Sequence, residues 1–240
     1  MITLALDTTS EKGGVGIFQG TECLGSVPNE GPANRYSITL FEMTQQALAQ
    51  ARLELRAIEL FAVAIGPGSF TGIRVGLAAA RAWGKAFDRP VRGVSVLEAL
   101  VNKAKLTSPW AFPILDARRG EFFVGAFHRA PQEASSRCGR GYEPVDAGWV
   151  LRPELVTPLL EKTLGSSASA TCLVRAHDDA AVALRESLPA SLEWQQIDGT
   201  LVDSVASIAL KELLASSPCS DPQLDAYYIR RPDAEINWKG

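Results

Sequence analysis

Three short segments hold residue types that could bind or transform a charged ligand. The first is Asp7-Thr8-Thr9-Ser10, where the apolar run from Ile2 to Leu6 gives way to a turn. A carboxylate there can hold a hydrated Mg²⁺ while hydroxyl and N–H groups reach phosphate oxygens. The same residue types also serve simply to cap a turn. The second segment is Gly66-Pro67-Gly68-Ser69-Phe70-Thr71-Gly72-Ile73-Arg74-Val75-Gly76. Glycine-rich turns that lead into a helix aim backbone N–H groups at an anion. This run is neither a Walker A loop nor a dinucleotide fingerprint, and Pro67 stands where a nucleophile elbow needs glycine. Its glycines also fit close packing. Gly72, Gly76, Ala80 and Gly84 recur every four residues and make a flat stripe, flanked by Ile73 and Leu77, that another backbone can approach. The third segment, Asp116-Ala117-Arg118-Arg119-Gly120-Glu121, sets an acid and two arginines at a strand end. It reads either as a hairpin turn held by an ion pair or as an arginine clamp for phosphate or carboxylate.

The elements that must position these residues follow from periodicity and turn residues. Ile2–Leu6, Val15–Phe18 and Cys23–Val27 are short apolar runs joined by tight turns, as in an antiparallel meander. From Tyr36 the period becomes helical: Ile38, Phe41, Leu48 and Ala51 recur, with Leu40, Met43 and Ala47 beside them, to about Leu53. Phe61–Ile65 is apolar throughout, which suits a buried parallel strand. A helix capped by Ser69 or Thr71 then runs over Gly72–Ala86. Val91–Val96 reads as a strand, about 95–105 as a helix, and Pro113–Leu115 and Glu121–Phe127 as strands. Arg129–Glu143 is polar and reads as a long loop. Pro144–Val150 reads as a strand and Pro153 as a helix start. Gly165–Ala170 is a small-residue linker. A short strand at Leu173–Val174, helices near Asp178–Leu188 and Val202–Ala215, and a final segment from Ala226 to Ile229 complete the pattern. An antiparallel meander feeding a parallel strand gives an α/β fold with a mixed sheet, the order of the ribonuclease-H-like arrangement. The expected division is a first lobe over 1–105 and a smaller second lobe over 106–240, whose last segment packs back on the first.

Composition excludes several classes. The 240 residues carry 24 Lys plus Arg against 27 Asp plus Glu, a net charge of −3. That is not the basic surface of a protein that neutralises phosphates along its whole face. The four cysteines are scattered and the histidines are only His128 and His177, so neither a Cys-x-x-Cys zinc site nor a multi-histidine site is expected. No signal-peptide pattern opens the sequence, and the most apolar window is broken by Gly66, Pro67, Gly68, Arg74 and Arg81. The expectation is a cytoplasmic protein with no membrane span and reduced thiols.

Taken together, Met1–Ser10, the Gly66–Gly76 run with Ala78–Ala82 behind it, Asp116–Phe123 and the ending Tyr228-Ile229-Arg230…Trp238 resemble the TsaB (YeaZ) family. The resemblance extends along the chain but is weak over 129–222. It implies a two-lobed actin-like fold with a reduced second lobe. It also implies a non-catalytic role: a scaffold and activator that binds a TsaD-like transferase, for N6-threonylcarbamoyladenosine formation at position 37 of tRNA. A TsaE-like ATPase would join a larger complex, and ATP and a metal ion would lie on partner subunits, with no cofactor on this chain. Contact with tRNA would be indirect, and the lone protein would pair with itself.

In the family the interface is a bundle of the first two helices of each protein. Here these are Tyr36–Leu53 and Gly72–Ala86, which makes Ile38, Leu40, Phe41, Met43, Ala47, Gly72, Ile73, Gly76, Leu77 and Ala80 the expected partner contacts. A bulky residue at Gly76 or Ala80 is then expected to block the complex and leave the fold intact. Asp7, Thr8, Thr9 and Arg118 are the expected anion or nucleotide contacts. Departures from related patterns stand beside this. The helix beginning at Tyr36 lacks the metal-binding histidines of TsaD-like proteins. No glycine follows Asp7, and Val174-Arg175-Ala176-His177-Asp178 replaces a glycine-rich second phosphate loop. The other reading is an actin-like ATPase or small-molecule kinase that acts alone, with Asp7 linked to the metal. No His-x-x-x-His or His-Glu-x-x-His motif supports a metallopeptidase.

Overall fold

A computed structural model describes residues 1–32, 35–130, 141–146, 148–165, 169–215, 225–227 and 229. The first sheet has the order β3-β2-β1-β4-β5, formed by β1 (Ile2–Asp7), β2 (Gly14–Gln19), β3 (Glu22–Pro28), β4 (Leu60–Gly66) and β5 (Val91–Ser95). β1, β2 and β3 pair antiparallel, while β4 is parallel to both β1 and β5. This is the ribonuclease-H-like order. The two-residue period of a strand divides its side chains between two cores. Leu4, Leu6, Phe61 and Val63 face one layer; Ala5, Leu60, Ala62 and Ala64 face the other. A strand buried on both faces must be apolar along its length, which is why β4 reads as an unbroken apolar run.

The first layer holds α1 (Tyr36–Ala51) and α2 (Phe70–Phe87), which bury Tyr36, Leu40, Met43, Ala47, Leu77 and Ala80 against the sheet. The second layer holds α3 (Val96–Lys103). Beyond it lies a second sheet built on β6 (Trp110–Asp116), β11 (Ala170–Arg175) and β12 (Glu193–Ile197), parallel throughout. Short antiparallel strands extend it: β7 (Phe122–Val124), β8 (Phe127–Arg129), β9 (Tyr142–Pro144) and β10 (Trp149–Leu151). α4 (Pro153–Leu164) and α5 (Asp179–Ala183) cover its outer face through Val156, Leu160 and Ala181. Its inner face, through Ala111, Leu115, Phe123 and Leu173, shares one core with α3 and with α6 (Val202–Ala215). α6 lies late in the chain yet packs on β1, β2, β4 and β5 of the first sheet. The result is a two-lobed actin-like fold whose second lobe is reduced.

Several elements differ from the sequence reading. The stretch expected as one strand over 121–127 divides at Gly125, whose N–H donates to the Pro113 carbonyl at 2.9 Å, and the chain moves along β6 to pair nearer its start. The expected strand over 144–150 divides where Gly148 takes a φ of 95°. β12 was not expected, because Glu-Trp-Gln-Gln-Ile carries a weak apolar pattern at a sheet edge. Of the expected loop Arg129–Glu143 and linker Gly165–Ala170, residues 131–140 and 166–168 lie outside the described residues, as do Tyr228, Arg230 and Trp238.

The small-residue stripe also needs correction: it faces inward. A Cβ on Gly72 would lie 1.8 Å from the Thr8 carbonyl oxygen, one on Gly76 2.4 Å from Thr8 Oγ1, and one on Gly84 2.3 Å from Val91 Cγ2. Its neighbours are thus Thr8, just beyond β1, and Val91 of β5. Gly72, Ile73, Gly76, Leu77 and Ala80 are buried, and so are Leu40, Met43 and Ala47 on α1. None of these can be offered to a partner while the lobe stays folded. A bulky residue at Gly76 or Ala80 would disrupt the fold itself. Of the expected contact residues, Ile38 and Phe41 point outward, 72% and 60% exposed.

Candidate functional site

The carboxyl ends of β1, β4, β6 and β11 deliver Asp7, Gly66, Asp116 and Arg175, the place where ligands bind in open α/β folds. Asp7 is fully buried. Its Oδ1 accepts from Thr9 N–H at 3.0 Å and from Thr9 Oγ1 at 2.6 Å. Its Oδ2 accepts from Arg175 Nη2 at 3.1 Å, and Arg175 Nη1 donates to Ser10 Oγ at 2.5 Å. The side chains of this pair are 0% and 4% exposed, so a charge from the second lobe neutralises a charge of the first out of water. Burying either ion alone carries a heavy desolvation cost, so each requires the other.

Thr8 faces α2, and its Oγ1 donates to the Gly72 carbonyl at 2.7 Å. Ser69 N–H donates to the Thr9 carbonyl at 2.7 Å, while Ser69 Oγ caps α2 by accepting from Gly72 N–H at 3.3 Å. These donors at the start of α2 are thus turned toward the protein itself. The Gly66–Gly76 run is a clasp on the end of β1, which favours the packing explanation over the anion cradle. Its glycine spacing is one helical repeat laid over Thr8 and Thr9.

Arg118 is not part of the Asp7 cluster's hydrogen-bonding. Its side chain is 88% exposed and lies 3.4 Å from Asp116 Oδ2, with its N–H bound to Asp116 Oδ1 at 2.7 Å. Arg118, Arg119 and Gly120 all have positive φ, so this turn holds two arginines in a conformation that favours glycine. Asp116 N–H in turn donates to Asp178 Oδ2 at 2.8 Å, while Asp178 Oδ1 caps α5 through Ala181 N–H. Next to it, burial and then the Arg175 charge hold His177 below its ordinary pKa, against the opposing pull of Glu11 and Asp178. Tyr36, at the first position of α1, donates from its hydroxyl to the Ser10 carbonyl at 2.8 Å. Burial, followed by the Asp7 charge, raises its pKa, so it stays a donor.

The sequence reading named Asp7, Thr8 and Thr9 but missed Arg175, which pairs with Asp7. A signal existed. In Ala-Thr-Cys-Leu-Val-Arg a lone charge ends an apolar strand, and an arginine buried there needs a carboxylate. Among the described residues, no group of three or more His, Cys, Asp or Glu side chains is placed to hold a metal ion, and no helix is long and apolar enough to cross a membrane.

The fold and the buried Asp7–Arg175 pair define a two-lobed actin-like protein whose central carboxylate is paired from within. A family model described as "TsaD: tRNA N6-adenosine threonylcarbamoyltransferase" matches residues 21–145, just over half of the chain. The tRNA threonylcarbamoyladenosine biosynthesis protein TsaB of Bacillus subtilis is 28% identical over 127 residues, 53% of this chain and 55% of that protein. Its Escherichia coli namesake is 27% identical over 175 residues, 69% and 68% of the two. A crystal structure from Pseudomonas aeruginosa, of an uncharacterized protein with similarity to peptidase YeaZ, has a TM-score of 0.73 at 23% identity, covering 95% of this chain and 99% of that one. That last likeness bears on the fold. The chain spans about half the length of the curated relatives it matches. It belongs to the family that this model describes, among the TsaB (YeaZ) members.

Proposed function

We propose that this chain is a non-catalytic scaffold and activator subunit that binds a TsaD-like transferase in forming N6-threonylcarbamoyladenosine at position 37 of tRNA. The observation that carries this reading is the Arg175–Asp7 pair. In an actin-like ATPase or kinase the first-strand carboxylate would have to face a hydrated metal ion. Here it faces a buried guanidinium and the Thr9 hydroxyl. In this reading ATP and a metal ion lie on the partner subunits, with a TsaE-like ATPase in a larger complex and tRNA reached through the partner. The cytoplasm, where tRNA is modified, is the matching compartment.

The docking face in this reading is the outer side of α1 around Ile38 and Phe41. These side chains lie one helical turn apart, and large apolar groups left exposed together favour association. The same face would pair two copies when the partner is absent. Size-exclusion chromatography with light scattering tests this, on the protein alone and mixed with its organism's TsaD-like protein. The expected result is a homodimer that gives way to a heterodimer. Two unmixed peaks would overturn the reading.

A further inference from the structure

We infer that Arg175 is a positioning residue for the partner face, acting from the second lobe through Ser10 and Tyr36 on the first turns of α1. The inference rests on the α1 face being the docking surface.

α1 opens on Tyr36, a residue fixed by contacts outside its own helix. The residue before it, Arg35, makes no side-chain cap, and its first turn carries no acidic residue. Its first residue is held instead by tertiary contact. Tyr36 is 1% exposed, and its hydroxyl donates to the Ser10 carbonyl. Ser10 belongs to the turn between β1 and β2, and Arg175 Nη1 holds that turn by donating to Ser10 Oγ. Arg175 itself is fixed by the buried Asp7 carboxylate. The contacts are thus continuous from β11 to Tyr36, and Ile38 and Phe41 follow two and five residues later. The first turn of a helix is the part most prone to fraying, so contacts that hold its first residue steady the turns that follow. In this molecule the anchor reaches across the lobes.

Two variants test the inference. Tyr36→Phe removes the hydroxyl donor and keeps the ring in the core. The double variant Asp7→Asn/Arg175→Met removes both charges, so neither ion is left buried alone. Each is compared with wild type by hydrogen exchange on the lone protein and by affinity for the TsaD-like partner. In both, amide exchange at residues 40–44 should rise roughly fivefold, the equivalent of one net hydrogen bond, with β4 unchanged. Partner affinity should fall by a similar factor. Unchanged exchange at 40–44 in folded Tyr36→Phe protein overturns the inference, as does raised exchange with full partner affinity. If an Ile38→Asp/Phe41→Asp variant binds the partner as wild type does, the failure lies in the choice of docking face instead.

Discussion

Gly72→Ala will leave the protein severely destabilised. The added Cβ would lie 1.8 Å from the Thr8 carbonyl oxygen and 3.0 Å from its carbon. A main-chain oxygen at the end of a central strand cannot turn aside as a flexible side chain can. The helix cannot withdraw either. Its next turn rests on Thr8 through Gly76, and Ile73 beside it is 1% exposed. Alanine gains about 1 kcal/mol of helix propensity over glycine. Overpacking ordinarily costs about 1–3 kcal/mol, and a contact this short belongs above that range, so the clash wins. A net loss of about 4 kcal/mol would lower the melting temperature by roughly 10 °C in a chain of this size. Thermal unfolding followed by circular dichroism measures it. Ala78, exposed on the same helix, supplies the control: Ala78→Ser should melt close to wild type. A Gly72→Ala protein melting within about 2 °C of wild type would show that α2 does not clasp β1 as described.

The second large effect concerns the partner. Ile38→Asp/Phe41→Asp should weaken binding of the TsaD-like protein by at least about a hundredfold, because truncating a central apolar anchor commonly costs 2 kcal/mol or more and here a charge is buried as well. The lone protein should become monomeric. Stability should hold, since both side chains are exposed and surface changes rarely exceed about 0.5 kcal/mol. An aspartate at position 38 would even favour the helix, whose first turn has no acidic residue. Fold and binding therefore separate, unlike at Gly72. Leu155→Asp, at an exposed site on α4, should bind normally. Calorimetric titration of the three proteins measures the difference, and wild-type affinity in the double variant would remove α1 from the interface.

Periodicity made most of the first lobe legible. The apolar run Phe61–Ile65 suited a buried strand and lies within β4, and the change of period at Tyr36 marked α1. It could not say which surface each face would meet. The four-residue spacing from Gly72 to Gly84 identifies a face made for close approach, but what approaches Gly72 and Gly76 is Thr8, about sixty residues earlier in the chain, and what approaches Gly84 is Val91. Only the parallel pairing of β1 with β4 brings Thr8 to that face. The second lobe was harder to read because its antiparallel strands are three residues long and its edge strand is polar. Arg175 was hidden for a similar reason: its partner lies 168 positions away, on the other sheet.

In the proposed role this chain contributes by binding and does no chemistry of its own. The most direct measurement is the yield of N6-threonylcarbamoyladenosine on tRNA from a mixture of the TsaD-like and TsaE-like proteins with their substrates, with and without this chain. The modification should require stoichiometric amounts of this chain, fail with Ile38→Asp/Phe41→Asp, and be absent from the chain alone. Equal yield without it, or threonylcarbamoyl transfer by the lone chain, would rule out the proposed role.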